Sequence, residues 1–289
     1  MVWTARVAWI VLPFTTGAAF DDVLQPWSRA PQTVAEALLW AAWFAGLIAL
    51  LAPRPWGFTI LRVVAPCTVA IAIASAWSAP WLTAVLAIST ASFAMVTALS
   101  SAIAHACTAS TAYGPERRFP LRVPVTLLAG PLPIAVTLIG AGIASGPLLI
   151  ANGSAVAGIV ALVVGAPLVA ALVRSIGALD HRWLVLVPAG LVIVDPLTFP
   201  DPVLLPREHI RSVGLAPGRS VSRADARHGE GEILVGGTGP LLITCRDTGE
   251  FVRRAGRANA TVDADRLRVA PVRADAVVAA AGAHRITVA

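Results

Sequence analysis

Long uncharged, apolar stretches alternate with short polar breaks through residues 1–175 of the chain. A helix needs ~20 mostly apolar residues to cross a bilayer. The pattern therefore predicts an α-helical polytopic membrane bundle of about six spans in this part of the chain. The predicted spans are about 5–20, 34–53, 58–77, 82–104, 122–143 and 151–174.

Two of the predicted turns fall inside uncharged runs. The run at 63–104 is long enough for two crossings, and it contains WSAPW at 77–81. The run at 123–173 is longer still, and it contains ASGP at 144–147. Because proline and small residues interrupt helices, and tryptophan favours the membrane interface, we expect a turn at each of these two sites.

The first predicted span has two interpretations. Only 14 residues separate Arg6 from Asp21, and Pro13 interrupts them. One basic residue, a short apolar core and then small residues are also typical of a cleaved signal peptide. A retained span is the favoured interpretation. Both interpretations leave the C-terminus on the same side of the membrane.

The pattern changes at residues 181–289, where short apolar runs and period-2 alternation predict strands. Charged residues are also much denser after residue 176, which indicates a domain boundary. We expect a small β-rich domain with one late helix. Two hairpins are predicted, one from strands 183–187 and 191–194 and one around GTGP from strands 232–236 and 241–246. Further strands are predicted at 203–205, 208–215, 251–254 and 267–272, and a helix is predicted at 274–284.

One stretch of this domain carries a resemblance to a known family. The segment WLVLVPAGLVIVD is followed by Pro206, Ile210 and Val213 in a P-x-x-x-I-x-x-V pattern. This arrangement resembles the bacterial pleckstrin-homology-like (PH-like) domain over about 30 residues. The resemblance implies a binding fold tethered to membrane spans, with no shared catalytic residue. Two spans are the more familiar arrangement in that family, and six are a departure from it.

Composition agrees with a membrane protein and excludes other classes. Of the 289 residues, 57% are hydrophobic and 13% are charged, and the mean hydropathy is +0.76. An ordinary soluble enzyme of this composition would expose large apolar patches to water. The net charge of +6 is spread over both halves of the chain, which does not favour a nucleic-acid partner. The three cysteines form no CxxC motif and no disulfide framework.

The distribution of arginine predicts the orientation. In the six-span arrangement, only Arg29 falls in the loops on one side. Because cytoplasmic loops carry an excess of basic residues, we expect a multi-pass protein of the cell (plasma) membrane with both termini in the cytoplasm. The arginines on the predicted cytoplasmic side are Arg6, Arg54, Arg62, Arg117, Arg118, Arg122 and Arg174.

Residues that could carry chemistry are scarce. No ionisable residue lies at the middle of a predicted span, which disfavours coupled transport. His105 and Cys107 do not share a helix face, and no catalytic triad, metal set or cofactor motif is recognisable. Three acids, Asp21, Asp22 and Glu36, cluster on the predicted outer side. They are either a cation-binding rim or, as we favour, ordinary polar residues at helix ends.

These observations favour a non-catalytic membrane anchor or adaptor, not an enzyme. Its cytoplasmic β-rich domain is expected to bind a protein or an anionic lipid. The alternative is an uncoupled permease for small solutes with a regulatory cytoplasmic domain. A polar cavity lined by span residues would favour that alternative. The residues predicted to contact lipid or a partner are Arg117, Arg118, Arg122, Arg253, Arg254 and Arg257.

Overall fold

The chain folds into two compact units. A computed structural model describes residues 1–216, 231–256 and 258–289. One unit is helical and comprises Met1–Cys107 and Thr126–Asp180. The other is rich in β-structure and comprises Thr108–Val125 and His181–Ala289.

Six helical segments of the first unit are long and apolar enough to cross a membrane, as predicted. The first of them, Val2–Leu24, is continuous but contains a short π-helix at Pro13–Gly17. These features indicate a multi-pass membrane protein. The helices are α1 (Val2–Leu12), α2 (Ala18–Leu24), α3 (Arg29–Leu51), α4 (Pro55–Ser75), α5 (Trp81–Ala98), α6 (Ser101–Ala109), α7 (Val125–Ala129), α8 (Pro131–Ala151) and α9 (Ala155–Asp180).

The predicted turn at 144–147 is wrong. Helix α8 continues through Pro147 to Ala151, and the turn lies at 152–154. A proline inside a membrane helix is tolerated where neighbouring helices pack closely around the interrupted backbone. Here Gly146 provides that closeness, since a Cβ at this position would lie 3.3 Å from the backbone oxygen of Gly158 on α9.

The first segment is firmly packed in the helical unit. The indole nitrogen of Trp9 donates a hydrogen bond to the carbonyl of Trp43 on α3, and the indole of Trp43 donates one to the carbonyl of Trp9, each at 2.9 Å. Trp9 is fully buried, and it leaves no room for a side chain at Gly46. Packing around Trp9 therefore joins the first segment to α3.

Two four-stranded sheets and a final helix form the second unit. The first sheet has the strand order β1-β2-β3-β4 and is antiparallel throughout. The second has the order β5-β7-β8-β6, in which β6 pairs with β8 in parallel. The elements are β1 (Arg117–Pro120), β2 (Trp183–Val187), β3 (Gly190–Val194), β4 (Val203–Pro206), β5 (Ile210–Leu215), β6 (Gly231–Val235), β7 (Leu241–Ala255), β8 (Ala258–Val269) and α10 (Ala274–Ala283).

The predicted hairpin around GTGP is wrong, although both of its strands exist. Strand β6 does not pair with β7 but lies on the far side of β8. The runs predicted separately at 241–246 and 251–254 are parts of one long strand, β7, which forms a hairpin with β8. The connection between β6 and β7 passes close to the end of β8, where a Cβ on Gly239 would collide with the Val269 carbonyl.

The β-rich unit has a strand that the sequence did not reveal. Strand β1 comes from the segment between α6 and α8, and it pairs with β2 from Arg117↔Leu186 to Pro120↔Trp183. Phe119 is buried in the core of this unit. The predicted domain at 181–289 therefore lacks one of its strands, and the predicted span starting at 122 begins too early. Because β1 and β2 share a sheet, both segments must lie on the same side of any membrane that α8 and α9 cross.

A buried ion pair joins the residue before β2 to the residue after β3. Arg182 and Asp195 are fully enclosed, and the guanidinium Nε lies 2.6 Å from a carboxylate oxygen. Arg182 also donates to the carbonyl of Arg122, and Thr198 donates to Asp195 at 2.7 Å. Because the guanidinium and the carboxylate both form hydrogen bonds in addition to their mutual attraction, the two enclosed charges are compensated.

Candidate functional site

The end of the β7–β8 hairpin is an exposed regular element of the β-rich unit. Residues 252–255 of β7 pair with 258–261 of β8, beyond the region where β5 and β6 flank them. All eight residues are exposed. We call this two-stranded projection the arm. A two-stranded ribbon is only marginally stable alone, so the arm depends on the sheet from which it extends.

Two of the predicted contact residues lie on the arm. Arg253 pairs in register with Ala260, and Arg254 pairs with Asn259. Since successive residues of a strand point to opposite faces, the two arginines present positive charge on both faces of the arm. The backbone N–H of Arg254 donates to the Thr198 carbonyl at 2.8 Å, which fixes the arm against the β3–β4 connection. Arg257 lies outside the described residues.

The other three predicted contact residues lie elsewhere, on and beside the edge strand β1. Arg117 is exposed. Arg118 forms an ion pair with Glu116 and stacks over the Trp183 ring, 5.2 Å from its centroid. Arg122 is held by its backbone N–H, which donates to the Ala270 carbonyl at 2.7 Å. The structure thus places the two groups of arginines on different sheets. Arg118 and Arg122 also contact other residues of the β-rich unit.

Acidic residues surround a cleft at the base of the arm. The cleft has a volume of about 350 Å³ and runs along β4 and the middle of β7. Asp201, Asp247 and Glu250 line it, together with His209. Glu250 also lies opposite Asp263 in the hairpin register. The β-rich unit therefore carries an acidic cleft next to a basic arm.

A second cavity, of about 280 Å³, lies within the helical unit. Its walls are mainly apolar and come from α1, the π-helix, α2, α3 and α4. Asp21 and Glu36 line it, whereas Asp22 does not. The sequence placed these three acids together but gave no sign of the cavity, because its walls come from helices distant along the chain.

The helical unit also contains a buried ion pair between α4 and the end of α9. Arg62 on α4 and Asp180, the last residue of α9, approach to 2.8 Å between Nε and Oδ1. Thr59 donates a hydrogen bond to the second carboxylate oxygen at 2.6 Å. Arg62 also lies over the Phe58 ring. The sequence does not reveal this pair, because 118 positions separate its two members.

Two cysteines outside the spans are poor nucleophiles. Burial, with a smaller effect from Asp180, raises the pKa of Cys107 to about 12. Burial and the charge of Asp265 also raise the pKa of Cys245. Since the thiolate is the reactive form, both thiols remain protonated and inert near neutral pH. Within the described part of the chain, no group of three or more histidine, cysteine or acidic residues could hold a metal ion.

Comparison with known proteins adds no relative to this description. No family model matches the chain, and neither a curated protein nor a solved structure shows significant similarity to it.

Proposed function

We propose that the protein is a non-catalytic membrane anchor whose β-rich unit binds a partner protein through the arm. The observation that carries this proposal is the basic end of the β7–β8 hairpin, whose eight paired residues are all exposed. Strand hairpins that project from a sheet present surfaces and not enclosed sites, which suits recognition better than catalysis.

The charge around the arm favours a protein over a lipid surface as its partner. Arg253 and Arg254 lie within three and four residues of Glu250, or roughly 10–13 Å along the strand. That distance exceeds the Debye length of about 8 Å at physiological salt, so the arginines and the acid act as separate patches of opposite charge, and a uniformly anionic membrane suits only one of them. A protein surface can offer both signs of charge, each in its place.

The PH-like resemblance of the β-rich unit belongs to the same proposal. Two four-stranded sheets followed by a helix are compatible with such a binding domain. The helical unit would then hold this domain at the cytoplasmic face of the plasma membrane, with both termini in the cytoplasm. The excess of arginine on that side supports this orientation.

Site-specific photocrosslinking in living cells tests the anchor proposal. A photoreactive residue at the exposed Val252 should give a discrete crosslinked protein, whereas one at the exposed Leu215 on β5 should not. Changing Arg253 and Arg254 to alanine should abolish the crosslink, and Arg246→Ala should leave it unchanged. If the arm instead binds vesicles of anionic lipid in a salt-sensitive manner and yields no crosslinked protein, lipid is the partner.

The cavity in the helical unit favours a second candidate function, uncoupled movement of a small solute. Its walls come from three of the six apolar segments, and it contains polar groups. Flux of a solute through proteoliposomes of the purified chain would establish this function and defeat the anchor proposal as the main role.

A further inference from the structure

The cavity of the helical unit combines apolar walls with two acidic residues. Leu12, Leu24 and Leu39 are among its apolar lining residues. Asp21 lies in the first turn of α2, and Glu36 lies roughly 10 Å along α3 from its first residue. Both residues are exposed, so their carboxylates can be reached from outside the helical unit.

Among the described residues, the two carboxylates of the cavity have no basic neighbour in its lining. No ion pair from the described part of the chain reaches Asp21 or Glu36. The cavity therefore carries two formal negative charges, and a cation entering it would gain the attraction that no side chain of the unit supplies.

One residue of the wall carries a buried hydroxyl without a partner in the described part of the chain. Thr16 is 8% exposed and lines the cavity, and its Oγ1 has no hydrogen-bond partner among the described residues. Thr68, in the same wall, is satisfied, because its hydroxyl donates to the Ala65 carbonyl at 2.7 Å. Buried polar atoms are rarely left unsatisfied, so Thr16 is an unusual residue in this wall, although its enclosed Oγ1 does not open into the cavity. Thr16 belongs to the π-helix, a distortion often found at functional sites.

Aromatic rings complete the lining. Phe20, Trp40 and Trp43 all face the cavity. The indole of Trp43 is held by its hydrogen bond to the Trp9 carbonyl, and Trp40 packs edge-on against it with ring centroids 5.5 Å apart. Aromatic faces attract ammonium groups and pack against apolar bodies, so these rings suit a ligand that has both.

We propose that this cavity is a binding site for a small organic cation, an ammonium group on an aryl or alkyl body. Asp21 and Glu36 hold the ammonium, and the aromatic and aliphatic walls enclose the apolar body. A bare metal ion fits poorly, because hard cations require six or more oxygen ligands and the lining is mainly apolar. This site and the arm lie in different units, so a test of one does not decide the other.

The probe for the test is 2-phenylethylammonium, with 2-phenylethanol as its neutral analogue and phenylacetate as its anionic analogue. The full-length chain is reconstituted in nanodiscs of zwitterionic lipid, and binding is measured by equilibrium dialysis. We expect saturable binding of the cation and at least tenfold weaker binding of the two analogues. Equal binding of the cation and the alcohol would overturn the proposal and identify an apolar groove for lipid chains.

Variants of the lining locate the site. Asp21→Asn combined with Glu36→Gln should weaken binding of the cation by about tenfold or more, since both attracting charges are lost. Asp22→Asn removes a neighbouring acid that does not line the cavity, and it should leave binding unchanged. An equal loss in both variants would refute a specific site, because it would show only a general effect of surface charge.

Filling the cavity is the complementary test. Gly17 lines the cavity in helical backbone geometry, and a Cβ there would meet no atom within 4 Å. Gly17→Leu should therefore fold normally, with an unchanged melting temperature, and abolish binding of the cation. A Gly17→Leu protein that melts normally and still binds 2-phenylethylammonium with unchanged affinity would place the ligand elsewhere and defeat the proposal.

Discussion

Arg62 and Asp180 form an ion pair that joins α4 to the end of α9 inside the helical unit, with 2.8 Å between Nε and Oδ1. Their side chains are only 12% and 2% exposed. A charge so enclosed is stable only while its partner and its hydrogen bonds remain, and here Thr59 supplies one of these bonds. The pair therefore fixes how α9 ends, immediately before the chain enters the β-rich unit.

Removing one member of this pair should destabilise the helical unit strongly. In Asp180→Asn, the enclosed guanidinium of Arg62 loses its counter-charge, and we expect a loss of about 3–5 kcal/mol in unfolding free energy. Denaturant titration in detergent measures this loss. Asp22→Asn, in the same unit, is the matched control and should change stability by less than about 0.5 kcal/mol.

The double variant Arg62→Met with Asp180→Leu separates the charge effect from packing. It removes both charges, so it should recover most of the stability lost in Asp180→Asn. A double variant as unstable as the single one would show that shape, and not charge compensation, is what this position requires.

The β-rich unit should not fold when residues 181–289 are expressed alone. That fragment lacks β1, so β2 would become an unprotected edge, and the buried places of Phe119 and Leu121 would be empty. We expect a poorly soluble fragment without a cooperative unfolding transition. Joining residues 108–125 to the fragment through a flexible linker should restore solubility and a β-type circular dichroism spectrum.

Phe119 provides the matched variant of that experiment. In the joined protein, Phe119→Ala should reduce the unfolding free energy by about 3–5 kcal/mol, because the side chain is 4% exposed. The exposed Arg117→Ala on the same strand should have little effect. A fully folded 181–289 fragment would contradict the role of β1.

The sequence predicted the parts of this molecule that follow from local pattern. Six apolar segments, the β2–β3 hairpin and the late helix are each encoded within a short stretch, and all are present. Pairings between distant segments were missed, because periodicity does not say which strands are neighbours. Strand β1 is an example, since RRFP looks like a basic loop until Phe119 is seen buried beneath the sheet. The cavity could not be predicted for the same reason, because its walls come from distant segments. The sequence drew attention to the acid Asp21 but not to Thr16.

Both ends of the chain should lie in the cytoplasm. Pairing of β1 with β2 requires the 108–125 and 181–289 segments to share one side, and these segments carry most of the arginines outside the spans. A fluorescent protein fused after Ala289 should therefore fluoresce, and alkaline phosphatase fused there should be inactive. Phosphatase inserted in the α8–α9 turn at Gly153 should be active. The reverse result at both positions would invert the topology.

The buried thiol of Cys107 should make stability depend on pH in the alkaline range. Its pKa is about 12 in the folded chain, against 9.0 for an ordinary thiol. Below pH 9 the thiol is protonated in both the folded and the unfolded state, so it contributes no pH dependence. Between pH 9 and about 12 the unfolded chain releases this proton and the folded chain retains it, so stability falls as pH rises, by up to about 1.4 kcal/mol per pH unit.

Comparison with Cys107→Ala isolates this contribution from other groups that titrate at high pH. The difference in unfolding free energy between wild type and variant should be constant from pH 7 to 8.5 and should then shift in favour of the variant as pH rises. Labelling supplies a second measurement, because a maleimide should react with Cys107 far more slowly than with a denatured control at pH 8. A pH-independent difference, together with rapid labelling, would show that the folded chain does not hold this thiol in its protonated form.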